Sequence, residues 1–498
     1  MNSVDTGLAL PTLANRRALK VHGGGFAVFL GDALALLLAL FLGWGVRWWS
    51  LDLPSNIFFA EWGHLPDSEP IIFYVGLAAI ALSRFFSLGH YSRRRPFWDE
   101  LHQTLWTLLG AALIHTTVIF LAKWTFSRAW LLSTWTLALI LVPTVRVQVK
   151  KALLRLGRWQ IRTVIIGVGQ NALEAAAALD SDPLMGHEII AFLDPQAESQ
   201  AEATIQTLQG RSLPLLSLGK EPAVTLKSLH HPQVVVALES GGLHLYQPLL
   251  ERLHIRYTDI NIVPAIRGLP LVGMETSHFF RHEVLLLKVR NNLAQWGPRM
   301  LKRAFDLLVS AIGLMTLSPL FAYIGWRIHQ TGGSVFFGHQ RVGLKGKPFY
   351  CYKFRSMVSN AEQVLQELLN KDSEARAEWE RSFKLKNDPR ISPIGAFLRR
   401  TSLDELPQLW NVLVGNMSLV GPRPVIEAEL ERYADQKRYY LLVRPGISGL
   451  WQISGRSDMD YAERVALDTW YIKNWTLWYD VAILFMTAKT VLAGKGAY

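Results

Sequence analysis

The sequence predicts an α/β membrane protein in three parts: an N-terminal four-helix transmembrane bundle, a Rossmann-like α/β middle domain, and an α-rich C-terminal third with a re-entrant membrane helix. The first observation behind this is compositional. Half of the 498 residues are hydrophobic and only 18% are charged, against a usual charged share of about 25%, and mean hydropathy is +0.17. This excludes a disordered chain and argues against an ordinary soluble enzyme. The second is that four long apolar runs are confined to the first third. The third is a glycine turn between two apolar stretches, followed later by a field of scattered cations. One cysteine, Cys351, excludes an intramolecular disulfide framework and a cysteine-rich zinc site. Net charge is +12, from 52 basic and 40 acidic residues. That balance suits a phosphate-rich partner such as nucleic acid, anionic lipid or a nucleotide, and the apolar content sets nucleic acid aside.

The apolar runs are Phe26 to Trp49, Pro70 to Leu88, Leu105 to Trp124 and Ala129 to Val149, each near the ~20 residues that span a bilayer. The first is too long for a signal-peptide core and lacks a small-residue cleavage site after it. Arg16, Arg17 and Lys20 precede it, the next loop carries Asp52, Glu61, Asp67 and Glu69, Arg93 to Arg95 separate the second and third runs, and Lys150, Lys151, Arg155 and Arg158 follow the fourth. By the positive-inside rule both ends of the bundle are cytoplasmic, which fits a bacterial inner membrane with both termini inside. Asp32, Arg84 and His115 lie within these runs. Intramembrane ionisable groups are functional candidates, although snorkelling or partner pairing explains Asp32 and Arg84 equally well.

From Arg162 the texture is that of a soluble domain. Thr163-Val-Ile-Ile is followed by Gly167-Val-Gly169-Gln-Asn-Ala172, an alanine-rich helical stretch and Ile189-Ile-Ala-Phe-Leu-Asp194. Strand, glycine turn, helix and strand ending in an acid is the order of a dinucleotide-binding unit. The stretches 233–238 and 259–263 are candidates for further parallel strands. An NAD-dependent nucleotide-sugar enzyme of this type needs a Tyr-x-x-x-Lys base, and none lies between residues 162 and 283. The one literal match, Tyr433 to Lys437, sits far away in a charged segment. Gly167, Gly169 and Asp194 therefore read as preserving a fold, with a structural, regulatory or dimer-forming role. The expected domains are 1–158, 159–298 and 299–498.

In the last third, the run Leu307 to Trp326 is broken by Ser318-Pro319, and an interior proline removes a helix hydrogen bond. Both flanks are basic: Lys302 and Arg303 before, Arg327, Arg341, Lys345 and Lys347 after. A helix that enters the membrane, breaks and returns keeps both flanks inside, with protein or Ser318 serving the freed backbone groups. Beyond it Arg341, Lys353, Arg355, Arg390, Arg399, Arg400 and Arg423 stand among glycines and prolines and read as phosphate ligands on loops. Within this field lies Thr401-Ser-Leu-Asp404-Glu405-Leu-Pro. Ser402 with Glu405 predicts a capping box. A helix start and nearby arginines would hold Asp404 ionised as a nucleophile or metal ligand, with Mg²⁺ bridging it to diphosphate oxygens. Residues 461–479 mix Trp, Tyr and Lys473 as an interfacial segment does. The stretch 481–492 is too short to span and reads equally as a core helix.

Several motifs in order carry a resemblance: Lys302-Arg-Ala-Phe-Asp306, Ser318-Pro-Leu320, Gly338-His-Gln-Arg-Val-Gly343, Tyr352-Lys-Phe-Arg-Ser-Met357, Asn387-Asp-Pro-Arg390, Arg400 to Gln408 and Ser418-Leu-Val-Gly-Pro-Arg-Pro424. From Arg299 to the end the chain resembles the bacterial sugar transferases, the monotopic polyprenyl-phosphate phosphoglycosyl transferases. The bundle and degenerate Rossmann-like domain before it are similar to the long forms. The resemblance implies a two-step exchange. Asp404 attacks the sugar-bearing phosphate of a UDP-hexose and expels UMP, and undecaprenyl phosphate then takes the sugar phosphate. It further implies Asp404 as the Mg²⁺ ligand, Glu405 as base or positioning carboxylate, and Arg423, Lys353 and Arg355 as the foremost phosphate contacts. Galactose is the implied hexose, glucose the alternative, and a homodimer on the membrane lipid the implied assembly. Two other classes compete: a membrane-anchored NAD-dependent sugar-nucleotide enzyme, and a non-catalytic scaffold for surface-polysaccharide assembly.

Overall fold

The computed structural model describes residues 23–50, 68–124, 126–197, 203–219, 221–239, 246–256, 260–266, 268–278, 285–289, 292–372, 374, 376, 385, 388–454 and 459–492. The chain forms two compact units, Met1–Arg267 and Gly268–Tyr498.

The first unit opens with four helices, α1 (Gly23–Ser50), α2 (Ser68–Ser87), α3 (Phe97–Ala122) and α4 (Arg128–Arg155), each long and apolar enough to cross a membrane. Side chains on one face of each pack together, including Val28, Tyr74, Leu108 and Trp135, while Leu34, Ile72, Phe120 and Leu132 point outward as a lipid-facing surface requires. α1 lies along α4, where Gly31 sits against Val145 and Val149 and Gly43 sits against Thr134; small residues let apolar helices approach closely. Asp32 and His115 are fully buried and partnered. The Asp32 carboxylate accepts from Arg146 Nε at 3.1 Å and from Tyr91 Oη at 2.8 Å, and His115 Nδ1 accepts from Trp135 Nε1 at 3.0 Å. Arg146 also donates to Thr104 Oγ1 at 2.7 Å and to Glu100 at 3.3 Å, and Lys150 pairs with Glu100. Arg84, more exposed, donates to Thr107 Oγ1 at 3.3 Å. Pairing rather than snorkelling accounts for Asp32.

The same unit continues through β1 (Ile161–Ile166), α5 (Gln170–Asp180), β2 (His187–Asp194), β3 (Ala203–Gln206), β4 (Ser212–Ser217), α6 (Pro222–Ser228), β5 (Gln233–Val236), α7 (Gln247–Arg256) and β6 (Ile260–Ile262). The sheet order is β3-β4-β2-β1-β5-β6, parallel except for antiparallel β3. Both stretches proposed as further strands take part, with Val164 opposite Val234 and Val234 opposite Ile260. Successive β1 side chains face opposite layers: Val164 and Ile166 pack with Leu226 and Leu253, Ile165 with Ala172 and Ala176. The period of two along a strand gives both cores. Trp159, 2% exposed, fastens sheet to bundle. The Arg94 guanidinium stacks 3.4 Å from its ring centroid and donates to its carbonyl at 3.1 Å, while its Nε1 donates to the Leu184 carbonyl at 2.8 Å.

The second unit begins with a hairpin, β7 (Glu275–His278) and β8 (Leu285–Lys288), then α8 (Trp296–Thr316) and α9 (Ser318–His329), which meet at 61°. Pro319 has no N–H for the Met315 carbonyl, and Ser318 Oγ donates to that carbonyl instead at 2.8 Å. α8 turns its polar side chains inward. Lys302 Nζ donates to Asp480 at 2.7 Å, Arg303 donates to the carbonyls of Val412 and Leu413 at 2.7 and 3.0 Å, and Asp306 accepts from the Leu419 amide at 3.1 Å. Its Leu308, Ile312 and Met315 are exposed. There follow hairpin β9 (Phe336–Val342) and β10 (Pro348–Phe354), α10 (Ala361–Lys371), α11 (Pro393–Arg400), α12 (Gln408–Val414), parallel β11 (Ser418–Val420) and β12 (Gly446–Ser448), α13 (Leu450–Ser454), α14 (Tyr461–Lys473) and α15 (Leu477–Leu492). The aromatic mixture expected at a bilayer interface is in part core: Tyr471 and Trp475 are each 2% exposed and donate to Asp480 at 2.6 and 3.0 Å. The buried Asp480 carboxylate and Lys302 supply the partners that draw them in.

Candidate active site

Three segments of the second unit build the site. In β10, Cys351 and Phe354 point into the core, and Lys353 is left half-exposed. α11 starts at Ser392, whose Oγ accepts from the Gly395 amide at 3.0 Å. A Cβ at Gly395 would overlap the Ser356 carbonyl, so only glycine lets α11 lie against the segment that leaves β10. That contact places Arg399, whose Nε donates to Ser356 Oγ at 2.9 Å. At the end of α11, Ser402 takes a left-handed conformation with φ +54°, and the chain doubles back into a single 3₁₀ turn, Leu403–Glu405. The predicted capping box is not formed. Ser402 makes no side-chain cap, because its left-handed backbone serves as a corner, and the Glu405 side chain turns to Lys353.

Lys353 Nζ lies 2.6 Å from Glu405 Oε1 and 3.8 Å from Asp404 Oδ2. Asp404 is 13% exposed at its side chain, Glu405 33% and Lys353 37%, so the acids are partly desolvated yet reachable. Burial pushes the Asp404 carboxyl above the ordinary range. Lys353 pulls it back, Glu405 adds to the rise, and Arg399 opposes it. Burial would lower the Lys353 ammonium, but Glu405 and then Asp404 outweigh this and hold it above an ordinary lysine. Of the helix N-terminus and nearby arginines expected from the sequence, Arg399 does oppose the rise at Asp404, but Lys353 opposes it more.

The other predicted cations are dispersed. Arg341 on β9 pairs with Glu429 at 3.4 Å. Arg355 turns toward the end of α9, donating to Thr331 Oγ1 at 3.2 Å and to the Gly332 carbonyl. Arg390 grips Asp388 through two donors at 2.8 and 2.6 Å. Arg400 is exposed on the last turn of α11. Arg423 is exposed and lies over the Trp451 ring at 5.5 Å, near Asp468, whose carboxyl burial pushes up to about 7. Ser318 and Pro319 make the break between α8 and α9. With Asp404 and Glu405 the structure therefore joins Lys353 and Arg399.

A cleft of about 160 Å³ opens beside Glu405. Leu409 on one wall faces Ile447, Ser448, Gln452 and Thr487 on the other, with Ser448 Oγ and Thr487 Oγ1 2.5 Å apart. Sequence reasoning missed these residues, which β12, α13 and α15 bring in from 42 to 82 positions beyond Glu405. Their only local signal was the glycine-rich Gly446-Ile-Ser-Gly449, where Gly446 and Gly421 back onto one another too closely for any Cβ. Among the described residues no group of three His, Cys, Asp or Glu could hold a metal ion. Mg²⁺ does not need one, since it binds through one or two carboxylates plus substrate phosphates and retains waters. Asp404 fits that role.

The family profile described as "Bacterial sugar transferase" matches residues 297–494, and one described as "CoA-binding domain" matches 87–264. The chain is 46% identical to the undecaprenyl-phosphate galactose phosphotransferase of Salmonella typhimurium, over 91% of this chain and 94% of that protein. It is 43% identical to the UDP-galactose-lipid carrier transferase of Erwinia amylovora over 95% of each. It is 32% identical to the UDP-glucose:undecaprenyl-phosphate glucose-1-phosphate transferase of Xanthomonas campestris over 68% of each.

Proposed function

We propose a function from one fixed premise: the chain belongs to the bacterial sugar transferase family. On this reading it transfers a hexose 1-phosphate from a UDP-sugar to undecaprenyl phosphate, releasing UMP and giving undecaprenyl-diphospho-sugar. This is the initiating step of O-antigen, capsule or exopolysaccharide synthesis. Galactose is favoured, because relatives named for galactose match over nearly the whole length; glucose is the second reading. The observation that carries the function is the corner at Ser402, which presents Asp404 and Glu405 to Lys353 at 3.8 and 2.6 Å.

In the first step an Asp404 carboxylate oxygen attacks the phosphorus that bears the sugar. The new P–O bond forms as the bridging P–O bond breaks, and UMP leaves with its electron pair. In the second, a phosphate oxygen of undecaprenyl phosphate attacks the same phosphorus and frees Asp404. No proton need move in either step. Catalysis then rests on positioning and charge neutralisation. Lys353 offsets the anionic charge, Glu405 holds Lys353 in place, Arg399 acts on Asp404, and the exposed Arg423 and Arg400 are further candidates to meet phosphate. Mg²⁺ bound through Asp404 would neutralise diphosphate charge. A UMP-release assay over a panel of UDP-sugars with undecaprenyl phosphate decides both class and hexose. No release with any sugar would discard the reading, and preference for UDP-glucose would replace galactose. EDTA is expected to stop release and Mg²⁺ to restore it.

We read α8 and α9 as re-entrant, with both termini and the catalytic unit on the cytoplasmic side of the bacterial inner membrane. Three observations support this: the 61° break, the Ser318 bond that satisfies Met315, and the outward apolar face of α8. Thiol labelling from outside intact cells, at a cysteine introduced at Lys345, is expected to fail, and strong labelling would refute this topology. The homodimer is tested by the mass of the detergent-solubilised protein.

A further inference from the structure

The fold of residues 161–262 and the profile that matches 87–264 both imply a bound nucleotide diphosphate or coenzyme A. Such a ligand needs three things of this fold: room above the glycine turn, free amides at the N-terminus of α5, and a free acid at the end of β2. The first two are already taken by the chain itself, and the third is engaged at one of its two oxygens. The space left by the missing Cβ of Gly167, at φ +137°, holds the Ala237 carbonyl, and the space left at Gly169 holds the Glu239 carboxylate. Glu239 Oε1 accepts from the Asn171 amide in the first turn of α5 at 2.8 Å. Asn171 is locked in turn, because its Nδ2 donates to the Leu238 and Val263 carbonyls, both at 2.9 Å. At the end of β2, Asp194 Oδ1 accepts from the Gln196 amide at 2.8 Å, and Gln196 Nε2 donates to Tyr246 Oη at 2.7 Å.

The residues present thus do not fit the implied ligand. We propose that Glu239 is the resident anion of this phosphate site and that the middle domain binds neither coenzyme A nor a dinucleotide. The positive end of α5 is compensated by a carboxylate, as a helix N-terminus favours, and that same carboxylate repels a diphosphate. The glycines remain because β5 and the chain after it approach α5 where a ligand would otherwise lie. The domain then acts as a fixed body on the bundle.

Hydrogen–deuterium exchange on the full chain in detergent tests this, with coenzyme A and NADH as probes. In the wild type neither probe is expected to slow exchange over residues 167–175. Without ligand, Glu239→Ala is expected to speed exchange in that segment at least severalfold. Glu239→Gln, whose amide oxygen still accepts a bond, is expected to fall between, and it carries the comparison if the alanine variant does not fold. Probe-dependent protection of 167–175 in the wild type would overturn the proposal. So would exchange in the folded Glu239 variants that equals the wild type.

Discussion

Asp32 and Glu100 in the bundle, like Asp404 and Glu405 in the second unit, are two carboxylates set beside basic side chains, yet the two clusters are built to different ends. In the bundle Asp32, Glu100, Arg146 and Lys150 are each 7% exposed or less at the side chain, and they bond to one another and to Tyr91 and Thr104. Two acids meet two bases, and no charge is left to attract a ligand. At Asp404 one lysine serves two acids, the Asp404 carboxylate stands 3.8 Å from it, beyond hydrogen-bond range, and solvent reaches all three groups. Buried ions persist where they are paired; reactive ones must keep a capacity in reserve. The difference lies in satisfaction, and composition alone does not reveal it.

The largest expected effect breaks the reactive side of this comparison. Asp404→Asn should lower UMP release at least about a thousandfold, as loss of a nucleophile does, and leave thermal unfolding unchanged. Near-normal release would end the covalent mechanism. Next, Arg146→Met should destabilise the bundle by roughly 3–5 kcal/mol, since it strands buried acids, and Asp32→Leu added to it should recover much of that loss. Unfolding in detergent measures both, and a harmless Arg146→Met would show that the bundle charges are not mutually supporting.

A third test sharpens the comparison through pH. Turnover that needs ionised Asp404 should rise as pH climbs through a value above the ordinary carboxylate range. Lys353→Met removes the cation that lowers that value, so the acid limb of the rate profile should move to higher pH, with activity down by about a hundredfold. Glu405→Gln removes a charge that raises it, so the limb should move the other way. Identical shifts would refute the assigned electrostatics. The smallest effect concerns Asp468, which is buried like Asp32 but bonded through Oδ2 to Tyr433 at 2.8 Å. Its value when folded, about 7, exceeds an unfolded value of about 3.9, so the folded state holds the extra proton. Its contribution is most favourable below the unfolded value and declines as pH rises toward about 7. Asp468→Asn should flatten that slope in stability measured against pH, and an unchanged slope would remove Asp468 from the account.

Much of this was legible in residues. The four apolar runs became α1 to α4 because hydropathy is a one-dimensional property, and the strand–glycine–helix order gave the parallel sheet. The acid pair stood out for its setting. The partners of the cations did not. Arg341, Arg355 and Arg399 look alike in sequence, and only the fold reveals that Glu429, the end of α9 and Ser356 receive them. Arg390 was the exception, with Asp388 two residues before it. The corner at Ser402 was hidden because a serine with an acid three residues on also describes a helix cap, and backbone handedness has no letter of its own. Glu239 was hidden for a further reason, since it meets α5 only once β5 lies beside β1.

The stacking of Arg94 on Trp159 bears on how this molecule can be taken apart. A cut at residue 158 looks natural by composition, since apolar helices end there and strands begin. Such a cut would strip Trp159 of the guanidinium at 3.4 Å, separate Asp182 from the Phe97 amide it accepts at 2.6 Å, and leave a bare indole on the excised piece. The profile that matches the sheet starts at residue 87, ahead of α3. The sheet is therefore tied to the bundle through Arg94 and Phe97, and α4 is tied to α1 through Arg146 and Asp32, so anyone who isolates the sheet should keep all four helices with it.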